Sequence, residues 1–106
     1  MRQMTVHELK ERLAQPGEKP VLLDVRESWE LNICALPGTL HISMGQVPAR
    51  TGELDPQQEL VVVCHHGVRS LHVAHFLASR GFSKLCNLQG GVDSWAREID
   101  PAMRTY

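Results

Sequence analysis

The chain has 106 residues, 42% hydrophobic and 22% charged, with a formal net charge of -1 and three cysteines. That length supports one hydrophobic core, so a single domain spanning residues 1–106 is expected and a separate cofactor-binding domain is excluded. Near-neutral charge without a run of like charges removes the electrostatic basis for a nucleic-acid or anionic-membrane partner.

Leu, Ile, Val and Phe together supply 28 residues, more than a disordered chain carries. The first residues hold no apolar stretch of signal-peptide length, and nothing elsewhere approaches the roughly 20 apolar residues of a membrane span. A cytoplasmic protein is therefore expected. Cys34, Cys64 and Cys86 are odd in number and widely spaced, which points to reduced thiols rather than a disulfide framework.

In chain order, Thr5-Val6-His7-Glu8 matches a helix capping box. Val6, Leu9 and Leu13 then recur on one helical face until Pro16-Gly17 stops the pattern. Val21 to Val25 is a β-branched apolar run suited to a strand covered on both faces. Ser28 to Ile33 reads as a brief helix ending before Leu36-Pro37-Gly38, and Leu40-His41-Ile42 fits a third strand. Pro48 to Gln58 is polar and turn-rich. It leads into Leu60-Val61-Val62-Val63, the strongest strand signal and the expected centre of the sheet.

From Arg69 to Arg80 apolar residues cover most of a helix, with Arg69, His72, His75 and Ser79 as its polar stripe and Gly81 as its stop. Lys84 to Leu88 reads as a strand that holds Cys86 in the core. Gly90-Gly91 reads as a tight turn and Val92 to Glu98 as a last short helix. Alternating strands and helices give an α/β fold, with a mainly parallel central sheet flanked by helices on both faces.

The chemistry concentrates where the central strand ends in Cys64 and the chain passes through His65, His66, Gly67, Val68 and Arg69 into a helix. Ligands in open α/β sheets gather beyond the carboxyl ends of strands, where helix N-termini offer unpaired N–H groups and positive partial charge. A thiol in that setting, with Arg69 close in sequence, is favoured as the thiolate, the reactive nucleophile. A small apolar residue ending a core strand explains Cys64 equally well from position alone. It does not explain the glycine that lets the chain curl or the guanidinium that follows, so the nucleophile reading leads.

These segments resemble the rhodanese family of sulfurtransferase domains. The likeness spans nearly the whole chain: Leu23-Asp24-Val25-Arg26-Glu27 with Trp29-Glu30, Leu36-Pro37-Gly38, Cys64 through Ser70, Gly81-Phe82, and Asn87 to Gly91 with Trp95. It implies a rhodanese-like fold in which Cys64 accepts a sulfane sulfur as a persulfide. The loop residues His65, His66, Gly67, Val68 and Arg69 would cradle the donor, and Asp24, Arg26, Gly91 and Trp95 would act as scaffold.

The implied enzyme is a thiosulfate sulfurtransferase. It would take sulfur from thiosulfate or a persulfide donor and pass it to cyanide in vitro, or to a thiol or sulfur-carrier protein in the cell. A sulfur-relay or thioredoxin-like protein is the expected macromolecular partner, and no cofactor is implied. The tail from Ile99-Asp100-Pro101 to Tyr106 resembles the end of rhodanese domains fused to sulfur-carrier-activating enzymes.

Two rival readings stand beside this one. Phosphatases with a related fold use Cys-x5-Arg, whereas Cys64 and Arg69 form Cys-x4-Arg, a shorter ring better matched to sulfur than to a tetrahedral phosphate. A rhodanese-like binding or regulatory module without catalysis is the other, weighed against by Cys64, Gly67 and Arg69. The sequence departs from the family at Cys34-Ala35, where Gly-His is common, and carries the pair His65-His66 in the loop. Cys34 reads as an inert packed thiol rather than a second redox centre. His65, His66, His72 and His75 raise the question of zinc, but a solvated helix face accounts for the latter two and no metal site is expected.

Overall fold

The computed structural model describes residues 1–106. Five strands, β1 (Arg2–Met4), β2 (Val21–Asp24), β3 (Leu40–His41), β4 (Leu60–Val63) and β5 (Leu85–Leu88), alternate with helices. Those helices are α1 (Val6–Ala14), α2 (Ser28–Ile33), α3 (Val47–Arg50), α4 (Val68–Ser79) and α5 (Gly91–Glu98). The strands form one sheet in the order β1-β5-β4-β2-β3, and every neighbouring pair is parallel. The expected α/β class and mainly parallel sheet are both observed. No helix is long and apolar enough to cross a membrane.

Strand periodicity divides the core into two layers. Leu60, Val62 and Cys64 point to the face covered by Val73, Ala74 and Leu77 of α4 and by Val47 of α3. Val61 and Val63 point to the other face, with Val6 and Leu9 of α1 and Val92 of α5. Because side chains alternate along a strand, Cys64 has the parity of Leu60 and Val62, and its side chain faces α4. Helices therefore cover both sides of the sheet, as expected.

The elements fall close to their sequence-derived bounds, with instructive exceptions. The capping box of α1 is formed in full: the Thr5 hydroxyl accepts from Glu8 N–H, and the Glu8 carboxylate accepts from Thr5 N–H. The polar stretch 48–58 is not wholly irregular, since it holds α3 with Pro48 in its first turn and a 3-10 turn at Thr51–Glu53. Strand β1 carries no strand signal of its own. Three residues are enough because β5 offers an open parallel edge, with Arg2 to Met4 in register with Cys86 to Leu88. Cys34, Cys64 and Cys86 are all free thiols, and Cys86 is buried in the core as expected.

Helix α5 is locked onto the end of β4. Val92 N–H donates to Cys64 O at 3.0 Å and Asp93 N–H to His65 O at 3.1 Å. That approach requires glycine at 91: its φ is +59°, and a Cβ there would lie 2.3 Å from Cys64 O and 2.5 Å from His65 O. Both obstacles are backbone and cannot swing aside. Gly91→Ala is therefore expected to cost at least about 2 kcal/mol and to loosen the loop after Cys64. Denaturant unfolding would measure the first effect, and amide exchange at residues 65–67 the second.

Candidate active site

Cys64 is the residue after β4 and is 1% exposed. Its Sγ accepts the Gly67 N–H at 3.1 Å and lies 3.2 Å from Ser70 Oγ. Gly67 reaches back to the sulfur because its φ of +97° turns the chain sharply before α4, a conformation in the left-handed region where glycine is favoured. Space is also tight here, since a Cβ would sit 3.1 Å from Gly90 N and 3.3 Å from Leu88 O. The first N–H groups of α4 lack partners within their helix, and the positive end of the helix dipole points toward the loop.

Ser70 and Asn87 complete the enclosure; both lie in the motifs that carry the family resemblance, but sequence reasoning assigns neither of them a role. The Ser70 hydroxyl donates to Asn87 Oδ1 in a very short hydrogen bond, while Asn87 Nδ2 donates to Gly67 O at 3.1 Å and Gln3 Oε1 at 3.0 Å. With that hydroxyl proton directed at Asn87, the Cys64 thiol can donate to Ser70 Oγ. Asn87 thus ties the loop to β1 and β5. A buried polar residue in a strand candidate was the available signal, because a buried amide needs partners and partners imply a network.

The other loop residues diverge. Arg69 does not join the solvated polar stripe with His72, His75 and Ser79. Its two terminal nitrogens donate to the two oxygens of Glu30 on α2, at 2.7 and 2.8 Å, whereas His72, His75 and Ser79 are exposed. The pairing is bidentate and almost enclosed on the Glu30 side, which is 3% exposed. The Arg69 guanidinium holds the Glu30 carboxyl down at about 2. Val68 is 63% exposed. His65 is half-buried and its Nε2 is sealed without a hydrogen-bond partner, and burial, then the neighbouring His66, lower its pKa below the ordinary histidine value.

The scaffold positions form a second network beneath the loop. Arg26 is fully buried and clasps Asp24 through Nε and Nη2, at 3.0 and 2.8 Å. Its remaining donors reach Cys34 O at 2.8 Å and the Tyr106 hydroxyl at 2.8 Å. Tyr106 in turn donates to Glu30 Oε1 at 2.9 Å. Cys34 thus contributes its carbonyl, and Trp95 packs against the second core layer while its carbonyl accepts from Ile99 and Asp100.

One group could approach a cation: ligand atoms of His65, His66 and Asp93 lie within 4.8 Å of one another. The two imidazoles are tilted by only 33° with centroids 3.9 Å apart, so they lie nearly face to face. Tetrahedral zinc with bonds of about 2.1 Å needs donor atoms roughly 3.4 Å apart, and Asp93 already accepts from Arg97 at 3.0 Å. These residues do not fit a tight zinc centre as they stand. A cavity of about 660 Å³ lined by Arg2, Arg12, Glu59, Lys84 and Cys86 opens at the amino ends of the strands. It lies at the opposite end of the strands from Cys64.

The family model for the rhodanese-like domain matches residues 5–98. The chain belongs to the rhodanese-like domain family. It is 35% identical to YtwF of Bacillus subtilis, across 95% of this chain and 96% of that one. It is 33% identical to a sulfurtransferase of Allochromatium vinosum, across 84% and 82%. A longer Arabidopsis thaliana relative, Rhodanese-like/PpiC domain-containing protein 12, is 33% identical, and the chain spans only 38% of it. In three dimensions the chain matches a rhodanese-like domain protein from Staphylococcus aureus with a TM-score of 0.85 and 28% identity, across 93% of this chain and 95% of that one.

The Glu30–Arg69 pair has a consequence for acid stability. A carboxyl held at about 2 in the folded chain but at its usual 4.5 when unfolded stabilises the fold fully above about pH 4.5, and loses that stabilisation as pH falls toward 2. The contribution is of the order of 3 kcal/mol. Denaturant unfolding between pH 6 and 2 should show the decline, and Glu30→Gln should flatten it.

Proposed function

We propose that this domain is a sulfurtransferase that carries a sulfane sulfur on Cys64 as a persulfide. The observation that carries this reading is the enclosure of Cys64 Sγ by the Gly67 N–H and Ser70 Oγ at the N-terminus of α4. The Gly67 N–H and the helix N-terminus offer donors to a sulfur anion, while Ser70 Oγ, its proton on Asn87, is placed to accept from the thiol. The sulfurtransferase named among the relatives supports the same class.

In the first step the Cys64 thiolate attacks the outer sulfur of thiosulfate or of an organic persulfide. The donor's S–S bond breaks, its electron pair leaves on sulfite or on the donor thiolate, and a new S–S bond forms at Cys64. The Gly67 N–H and the first N–H groups of α4 receive the persulfide anion. In the second step a thiophilic acceptor attacks the outer sulfur and returns Cys64 as thiolate. Cyanide serves as acceptor in vitro, and a cellular thiol, a sulfur-carrier protein or a thioredoxin-like protein would serve in the cell.

His65, His66, Gly67, Val68 and Arg69 form the rim through which the donor enters, with Gly67 making the direct contact to the sulfur. Arg69 shapes the loop through Glu30 and supplies no free cation, so backbone dipoles carry the anion stabilisation. The same pairing, with the short Cys-x4-Arg ring, speaks against phosphate hydrolysis, which needs that guanidinium on a tetrahedral anion. The intact rim and enclosed thiol argue for transfer over a purely binding module.

Incubation with thiosulfate followed by removal of excess reagent should raise the intact mass by one sulfur, about 32 Da, at Cys64. Cys64→Ser, a one-atom change, should abolish both the mass gain and thiocyanate formation while keeping the melting temperature within a few degrees. Cys34→Ser and Cys86→Ser should retain transfer. Turnover by the Cys64→Ser protein would defeat the mechanism, and p-nitrophenyl phosphate hydrolysis lost in Cys64→Ser would favour the phosphatase.

A further inference from the structure

Segment 99–106 does more than end the last helix. Ile99, Met103 and Tyr106 pack against the second core layer, which brings Tyr106 to the loop that follows Cys64. There four rings succeed one another. Trp29 meets Tyr106 edge-on with centroids 6.1 Å apart, Tyr106 lies flat on His65 at 3.8 Å and 4°, and His65 meets His66 at 3.9 Å.

Tyr106 is the fixed member of this column. Its hydroxyl accepts from Arg26 Nη1 at 2.8 Å and donates to Glu30 Oε1 at 2.9 Å. Both partners are buried and themselves paired. With one end held and the face stacked, a side chain of two rotatable bonds has no remaining freedom. The outer members are loose by comparison: Trp29 is 61% exposed, and the His66 side chain is also 61% exposed.

His65 depends on Tyr106 for its orientation. No hydrogen bond at Nε2 holds the imidazole, so the flat contact with the tyrosine ring is what fixes it. His65 directly follows Cys64, and its carbonyl is held by Asp93 N–H. Its ring therefore belongs to the loop that borders the enclosed sulfur.

We infer that Tyr106 is a positioning residue that sets donor specificity: by stacking on His65 and anchoring to Arg26 and Glu30, it holds one wall of the opening above Cys64 and limits the breadth of donor that reaches the sulfur. This rests on the sulfurtransferase reading. It predicts discrimination by shape between two donors of the same sulfane sulfur, thiosulfate and benzenethiosulfonate, in which a phenyl ring replaces one oxygen. For the second donor the Cys64 thiolate attacks the outer sulfur, the S–S bond breaks and benzenesulfinate leaves with the electron pair, so the Cys64 persulfide is the same.

The test compares kcat/KM for the two donors, with cyanide as acceptor, in the unmodified protein, Tyr106→Phe and Tyr106→Ala. Tyr106→Ala should raise the aryl-to-inorganic ratio about tenfold, mostly through KM for the aryl donor. Tyr106→Phe keeps the stacked ring but loses its anchor to Arg26 and Glu30, and its ratio should fall between those of the unmodified protein and Tyr106→Ala. Should Tyr106→Ala fail to fold, Tyr106→Leu fills the space without a flat face and should shift the ratio in the same direction. An unchanged ratio in a folded Ala or Leu variant overturns the inference. Alkylation of Cys64, read by peptide mass with iodoacetamide against a bulky N-aryl maleimide, measures the same opening without sulfur transfer. If neither donor loads Cys64 in the unmodified protein, the sulfurtransferase reading fails while the alkylation ratio still decides the wall.

Discussion

Arg26 is wholly enclosed, and its guanidinium gathers groups from four parts of the chain: Asp24 at the end of β2, the Cys34 carbonyl after α2, the Tyr106 hydroxyl, and through that hydroxyl Glu30. A charge taken out of water is tolerable only when its donors are met, and here Asp24 neutralises it while oxygens take the remaining N–H groups. Removing one partner would leave a buried charge uncompensated, which holds the set together cooperatively. The network is also the floor under the loop after Cys64, because Glu30 passes the constraint on to Arg69.

On the proposed sulfurtransferase reading, the loop needs little to build an anion site when the backbone is well placed. A thiol at the end of a central strand, a glycine able to turn at positive φ and the first turn of a helix supply donors that need no reorganisation. The side-chain cation that a reader of the sequence would put against the substrate is spent on Glu30 instead. The effect is geometric rather than electrostatic: Arg69 fixes the helix N-terminus to α2, and the N–H groups are aimed by that fixation.

Much of this was legible in the residues. β-branched runs marked β2 and β4, the Thr5 capping box marked α1, and Cys64 to Ser70 announced a strand-turn-helix. β1 was missed because three residues, two of them polar, have no periodicity, and only the waiting edge of β5 makes them a strand. Arg69 was assigned to a solvated face because helical spacing shows which residues share a side and not what lies opposite. The roles of Glu30, Asn87 and Tyr106 depend on contacts 39, 17 and 76 positions apart in sequence. No local pattern carries those.

The strand order places β1 and β5, the first and last strands, side by side, with β4 between β5 and β2. Parallel pairing of this kind relies on contacts distant in sequence, which form late because loop closure precedes their reward. The hydrogen bonds that clamp the carbonyls of Cys64 and His65 come from α5, and the ring that flanks His65 comes from residue 106. During synthesis, then, Cys64 emerges well before α5 and residue 106, which shape its surroundings. The clamp on the loop after Cys64 comes into being only once α5 and residue 106 have emerged, so a product cut before them has the thiol without that clamp.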